Sequence, residues 1–262
     1  MLRHARCLAI FGAFSALDAA VATEERGLEV ARKVREQDAG FGDFQASFQM
    51  ILRDEGGKTA ERAGRLKRLE TKNDGNKMLV VFDLPKDIAG TAFLAFTHRA
   101  ASDEQWLYLP SLRRVKRIAA NNVSAPFMGS EFSYEDIASQ ELEKYRYKLL
   151  REEPCPGEAG LCFVNEQNPL NENSGYAKVV VWVHSTYFRP EKAEFFDRKG
   201  ALLKTLAYSD YARYLDRYWR AGKMIMANVQ TKRRTDLSWS DHRFKTGLTG
   251  RDFDQSALQR AR

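Results

Sequence analysis

Apolar and polar residues alternate most regularly between Asp43 and Arg53. Phe44, Ala46, Phe48, Met50 and Leu52 share one parity, Asp43, Gln45, Ser47, Gln49 and Arg53 the other, and Ile51 alone breaks the rule. Successive side chains of a strand point to opposite faces, so this pattern predicts an antiparallel strand with one buried and one wetted side. Asp54-Glu55-Gly56-Gly57 turns the chain, and residues 59–71 read as a solvent-facing return strand around Leu66 and Leu69. Asn73-Asp74-Gly75 makes the next turn, residues 77–84 the next strand, and Pro85 stops it. Two apolar runs, 91–96 and 106–109, flank the polar turn 101–104, which is a hairpin signal. Trp106 and Tyr108 fall on one face of the second run and Leu107 and Leu109 on the other, so that strand is expected to be covered on both sides. A basic run, 113–118, follows Pro110 and Ser111.

Strand patterns resume at 145–151, 160–165, 177–184, 192–197, 202–209, 224–230 and 235–241, with turns expected at 173–175, 198–200 and Ala221-Gly222. Residues 23–38 gather Leu28, Val30, Ala31 and Val34 on one side of an amphipathic helix. A short closing helix is expected within 249–260, with Asp252 as N-cap. Residues 138–145 read equally as helix or loop. About a dozen strands with few helices indicate an all-β sheet with helical cover. No linker rich in Pro, Gly or Ser divides the chain, which reads as one domain over residues 23–262.

The segment 126–136, Pro-Phe-Met-Gly-Ser-Glu-Phe-Ser-Tyr-Glu-Asp, is too apolar for an ordinary solvated loop. It reads as a flap over a cavity, with Gly129 able to take unusual dihedrals. The chain also carries many bulky apolar groups, among them Phe44, Phe48, Met50, Phe93, Phe96, Trp106, Tyr108, Phe127, Met128, Phe132 and Trp182. These fit either a filled core beneath helices or the walls of a cavity, and the residues alone leave both open.

The 44% hydrophobic content of the 262 residues is ordinary for a globular protein. The first 22 residues differ, with Arg3 and Arg6 before an apolar run, Cys7 to Leu17, and Ala20-Val21-Ala22 as a small-x-small cleavage site. They read as a secretory signal peptide, because the run falls well short of the roughly 20 residues of a bilayer-spanning helix. Cys7 precedes the apolar run, which is the wrong place for a lipid-modified cysteine. Removal of the leader takes Arg3, Arg6 and Asp18, so the net charge falls from +7 to +6, and leaves Cys155 and Cys162. An even cysteine count in an exported chain favours a disulfide, and a metal site lacks a second cysteine pair or nearby histidine. No cofactor is expected.

Catalysis finds little support. His98, His184 and His242 lack metal-ligand spacing, and neither a phosphate-binding glycine loop nor a Gly-x-Ser-x-Gly elbow occurs. Glu131, Glu135 and Asp136 are close in sequence and read as a charged loop rim. Arg113, Arg114 and Arg117 near Trp106 and Tyr108 could attract nucleic acid, but export argues against it. A lipid headgroup surface, a partner protein or plain solvent remain as the readings of that basic strand.

Gln105-Trp106-Leu107-Tyr108-Leu109-Pro110 with Leu112-Arg113-Arg114-Val115, followed by Phe127-Met128-Gly129-Ser130 and Phe132-Ser133-Tyr134-Glu135-Asp136, resembles the LolA-like outer-membrane lipoprotein-sorting family. Weaker similarity runs from about Ala39 to the C-terminus. The resemblance implies an open, incomplete antiparallel β-barrel with helices across its concave face, enclosing a hydrophobic cavity for acyl chains. It also implies a periplasmic, non-enzymatic carrier of a lipid or lipoprotein, with an inner-membrane transporter of the RND type as possible partner. A cargo-free adaptor of such a transporter is the alternative. On that reading Phe44, Phe48, Met50, Phe93, Phe96, Trp106 and Tyr108 line the cavity, Phe127, Met128, Gly129 and Phe132 form the lid, and Arg113, Arg114 and Arg117 dock a partner or headgroup.

Overall fold

The computed structural model describes residues 11–138 and 140–260. Among the described residues thirteen strands form one antiparallel sheet. The first six are β1 (Asp43–Arg53), β2 (Thr59–Glu70), β3 (Asn76–Leu84), β4 (Ala92–Phe96), β5 (Glu104–Leu109) and β6 (Arg114–Arg117). The other seven are β7 (Tyr145–Pro154), β8 (Leu161–Pro169), β9 (Tyr176–His184), β10 (Pro190–Asp197), β11 (Leu202–Tyr214), β12 (Tyr218–Asn228) and β13 (Arg234–Phe244). Helix α1 is Phe11–Asp38, α2 the single turn Tyr134–Ile137, and α3 Gln255–Arg260.

The sheet runs β6-β5-β4-β3-β2-β1-β13-β12-β11-β10-β9-β8-β7. Two meanders are thus sewn together where β1 pairs with β13, Phe48 facing Trp239 across the seam. The free edges, β6 and β7, are consecutive in sequence, so the link between them has to cross the sheet. It crosses the concave face, where Phe127, Phe132 and Tyr134 join the same buried cluster as Phe82 and Phe93. The result is an open antiparallel barrel, not closed edge to edge, covered on its concave side by this link and by α1.

Helix α1 reaches the sheet through Gly27, Val30, Ala31 and Val34, one stripe at helical spacing. Gly27 lets it approach closely, since a Cβ there would lie 2.6 Å from the Lys148 backbone nitrogen, and Asn165 Nδ2 donates to the Gly27 carbonyl at 3.0 Å. The first ten residues of the expected leader lie outside the described residues. The rest continues α1 upstream without a break after Ala22, as its alanine-rich sequence permits.

Two local expectations are corrected. Gly222 lies inside β12 against Asp210, whose carbonyl oxygen would sit 2.7 Å from a Cβ. The β11–β12 turn comes instead at Leu215 and Asp216, both left-handed, so the hairpin is longer than its alternation suggested. Near the C-terminus, Asp252 is not an N-cap: its carboxylate accepts from the Thr249 N–H at 2.8 Å, while Asp254 accepts from the Ala257 N–H at the start of α3. Residues 142–144 form a 3-10 turn. Cys155 and Cys162 are disulfide-bonded.

Candidate functional site

A cavity of about 390 Å³ opens between the concave face of the sheet and the crossing link. Phe44, Phe48 and Met50 line it from β1, Leu66 from β2, Val80 from β3, and Phe127 and Phe132 from the link. The far wall comes from Tyr208 and Tyr211 on β11, Trp219 and Met224 on β12, and Leu237, Trp239 and His242 on β13. Their parity follows the seam: Phe48 pairs with Trp239 and Met50 with Leu237, so β13 must present those two side chains to the same face. The Phe48 ring needs room to do so. Gly64 faces it on β2, and a Cβ there would meet Phe48 Cζ at 2.8 Å and the Val81 carbonyl oxygen at 2.2 Å.

The wall is aromatic and mostly uncharged, with a charged rim. Arg189 is buried, stacks within 4.0 Å of the Tyr211 ring centroid and 4.4 Å of Trp219, and pairs with Glu191 and Glu158. Arg220 Nη1 holds Asp38 Oδ1 at 2.6 Å, with its guanidinium among Phe41, Phe44, Tyr218 and Phe244. Burial, and then the charge of Arg220, lowers the His242 pKa below its ordinary value. Burial also raises the phenols of Tyr208 and Tyr211, so both stay neutral hydroxyls in the wall.

The segment expected as a flap is a fastened plug. Phe127 and Phe132 are each 1% exposed, and Phe127 packs on Phe82, Phe93 and Tyr134 at ring separations of 5.7, 5.2 and 5.4 Å. Lys204 Nζ donates to Asp136 Oδ2 at 2.6 Å and to the Glu131 carbonyl at 2.9 Å, and the Lys204 and Asp136 side chains are only 5% and 4% exposed. Tyr176 OH donates to Asp136 Oδ1 at 2.9 Å. Glu131 accepts from Asn228 Nδ2 and pairs with Arg233, while Glu135 accepts from Ser174 Oγ and the Gly175 N–H. Burial pushes the Glu135 carboxyl up despite those two donors. The three carboxylates thus each face a partner on β9 to β13 or the turn before β9, and their geometry is that of fasteners. Met128 and Gly129 carry positive φ at the bend, and Met128 packs against the core from the side.

The expected cavity residues divide. Phe44, Phe48 and Met50 line the cavity, while Phe93 shares the concave face but is fully buried against Phe127 and Tyr134. Phe96, Trp106 and Tyr108 are corrected: they lie on the convex face, clustered with Leu94, Phe253 and Leu258. Phe93 and Phe96 differ in parity within one strand, and Phe93 pairs with Leu107, so Leu107 and not Trp106 turns inward. Trp182 likewise packs on the outside with Cys155 and Cys162. Arg114 and Arg117 are exposed on edge strand β6 on opposite faces, Arg117 pairing with Glu104 at 3.2 Å, and Arg113 sits in the left-handed bend before β6. His98 pairs with Asp74, and His184 sits beside the Ala159 carbonyl. The far wall on β11 to β13 had escaped the sequence reading, because charged residues alternate with its rings. The signal that could have found it is the parity of Met224, Leu237 and Trp239 against β1.

A family model described as "-like: Uncharacterized protein" matches residues 74–260. No curated protein matches the chain. Among solved structures, a domain from Vibrio parahaemolyticus named for outer membrane lipoprotein sorting is 51% identical, with a TM-score of 0.87, covering 90% of this chain and 99% of that one. A DUF1329 family protein from Desulfovibrio piger is 28% identical at a TM-score of 0.85, over 90% of this chain and 99% of that one. A LolA superfamily protein from Nitrosomonas europaea, 24% identical over 91% of this chain and 98% of that one, superposes at 0.66 and speaks for the fold. With a covered concave cavity, 51% identity over 90% of its length to one domain named for lipoprotein sorting and its architecture shared with a LolA superfamily protein, the chain belongs to the LolA-like outer-membrane lipoprotein-sorting family.

Proposed function

We propose that the protein is a non-enzymatic periplasmic carrier that shields an acyl chain of a lipid or lipoprotein while it crosses an aqueous gap. The observation that carries this reading is the apolar cavity between Phe44, Phe48 and Met50 on one wall and Tyr208, Tyr211, Met224 and Trp239 on the other. Its size falls within the roughly 300–1,000 Å³ of small-ligand sites. Residues 1–22 would serve as the export leader and residues 23–262 as the working domain. Among the described residues no helix is long and apolar enough to cross a membrane.

Energetics constrain how such a carrier works. Burying about sixteen methylenes from water gives on the order of 13 kcal/mol at roughly 0.8 per group. A chain leaving a bilayer was already out of water, so net transfer into the cavity is close to neutral. Direction then comes from a donor, from polar contacts at the rim, or from displacement of the plug. The fastening of Asp136 and Glu131 makes that last step one that a partner has to drive. Arg113, Arg114 and Arg117 on the free edge at β6 are the surface we assign to such a partner, an RND-type transporter being the class expected, or to anionic headgroups.

Native mass spectrometry of the chain purified gently from its host should show a lipid adduct, and Phe48→Glu should abolish it. Repeated adduct-free spectra together with no uptake of added acyl chains would remove the carrier. The adaptor reading draws on the same exposed basic edge. It predicts that charge reversal at Arg113, Arg114 and Arg117 abolishes docking, whereas in the carrier case Phe48→Glu is the more damaging change to transport.

A further inference from the structure

The hairpin of β11 and β12, which walls one side of the cavity, is joined to the rest of the sheet over only part of its length. β12 and β13 are paired from Ala227 and Arg234 as far as Lys223 and Ser238, and β10 and β11 as far as Lys192 and Ala207. Beyond those points β13 runs on to Phe244 in register with β1, while β11 and β12 run on to their own turn paired with each other. Among the described residues no backbone ladder joins residues 218–222 of β12 to residues 239–244 of β13. The outer half of the hairpin is therefore an arm, and a slit lies between it and β13. Tyr211, Trp219 and Ala221 line the cavity from the arm and Trp239 and His242 line it from β13, so the slit opens into the apolar space.

The two edges of the arm are held differently. On the β10 side Arg189, 6% exposed and paired with Glu191 and Glu158, stacks on Tyr211 and Trp219, and Tyr211 OH donates to the Pro190 carbonyl. On the β13 side the closure is made by rings: Tyr218 stacks on Phe244 at 5.7 Å, Tyr214 lies 5.4 Å from Phe244, and Tyr214 OH is 3.2 Å from His242 Nδ1. Across the mouth Arg220 ties the arm to Asp38 at the end of α1. Side-chain contacts of this kind part without unfolding a strand, whereas a backbone ladder opens as a cooperative unit. The arm also has a place to bend. Asp210 is left-handed, and Gly222, whose Cβ would lie 2.7 Å from the Asp210 carbonyl oxygen, is the first residue of β12 past its last pair with β13.

We infer that this arm is a gate, bending at Asp210 and Gly222 with Arg189 as its pivot, and that an acyl chain enters the cavity sideways through the slit between β12 and β13 while the plug stays shut. This rests on the acyl-chain reading above and adds the route. A slit in the wall lets the chain pass in with its polar head left outside.

Stopped-flow uptake and release of a fluorescent fatty-acyl probe by the purified chain test the route. Tyr214 closes the slit without lining the cavity. Tyr214→Phe should therefore raise the uptake and release rates alike, by about fivefold, the worth of one hydrogen bond, and leave the equilibrium constant unchanged. Asp38→Asn, which weakens the tie between arm and α1, should also raise both rates. Glu131→Gln and Lys204→Met, which loosen the plug instead, should leave both rates as in the wild type. Three results would overturn the inference and leave the carrier standing: unaltered rates in the arm variants, plug variants that accelerate uptake as much as the arm variants, or wild-type uptake already at the rate of diffusional encounter. Failure of the wild type to bind the probe at all would remove the carrier and the gate with it.

Discussion

The concave face has two ends built from the same kinds of residue and put to different use. At the β3–β4 end Phe127 meets Phe93 and Tyr134 edge to face and Phe82 at a tilt, with Phe82, Phe93 and Phe127 at most 1% exposed. At the β11–β13 end, Tyr208, Tyr211, Met224 and Trp239 stand around open space. Aromatic content does not separate these ends, since both are rich in rings. What separates them is cover: the link between the two sheet edges packs Phe127 and Tyr134 against Phe93 at the first end, while at the second Phe127 and Phe132 border the space without filling it. Hollowness in this fold is therefore set by the path of one crossing segment, and altering that path or its footing is the way to test the idea.

The largest effect is expected from paired truncations at the two ends. Phe93→Ala removes a ring that is 0% exposed and packed against Phe127 and Tyr134, away from the cavity, and should cost about 3–5 kcal/mol. Met224→Ala, beside space that already exists, should cost about 1 kcal/mol. Urea unfolding followed by tryptophan fluorescence measures both. Similar losses would mean that the second end is as tightly packed as the first.

Next comes the footing of the plug. Lys204→Met leaves Asp136 buried with its cationic partner gone, a change that typically costs about 3–5 kcal/mol, and part of that should appear as local opening. Limited proteolysis should then cut within residues 126–136 before the sheet unfolds. Adding Asp136→Leu should recover only part of the loss, because the Tyr176 hydroxyl and the Ser133 N–H lose their acceptor as well. If cleavage still waits for global unfolding, the plug is held by its rings and the ion pair is incidental.

Strand existence was legible in the sequence, because alternation, apolar runs and turn residues mark the strands. Facing was legible only where one side is wet. On β1 the polar parity identifies the outer face directly, and Phe44, Phe48 and Met50 fall where their pattern puts them. On β4 and β5 both faces are apolar, since Phe253 and Leu258 from the C-terminal segment cover the outside. Nothing local to Phe96, Trp106 or Tyr108 tells which way is in; that information sits some 150 residues away. Gly64 was silent for another reason: its meaning lies in the Phe48 ring opposite, which only register reveals. The fastening of Glu131, Glu135 and Asp136 was hidden likewise, because their partners lie on later parts of the chain.

A smaller effect on stability, with a larger one on binding, is expected from filling the hollow end. Ala221 is half-buried on the cavity lining. Ala221→Phe should change unfolding free energy by less than about 1 kcal/mol, since it enters empty space without forcing off-rotamer neighbours. It should nonetheless lower acyl-probe capacity severely, as measured by equilibrium titration. A variant that binds the probe normally would place the ligand elsewhere.

The smallest effect is a pH dependence confined to the hollow end. The His242 ring lies tilted 4.9 Å from Tyr214 and stacked 6.4 Å from Phe44, and burial together with the Arg220 charge lowers its pKa from 6.5. Below that value the unfolded chain binds a proton that the folded chain resists, so the contribution of His242 to stability rises with pH across the window between the folded pKa and 6.5. Acidification through that window should cost a fraction of the total stability and weaken acyl binding, since a protonated imidazole would sit in the wall. His242→Phe should flatten that slope, while Phe93→Ala, at the filled end, should leave it intact. Unfolding free energies measured at about pH 7.5 and 5.5 for the three proteins decide it. An unchanged slope in His242→Phe would show that the acid sensitivity arises elsewhere, and the hollow end would lose His242 as its explanation.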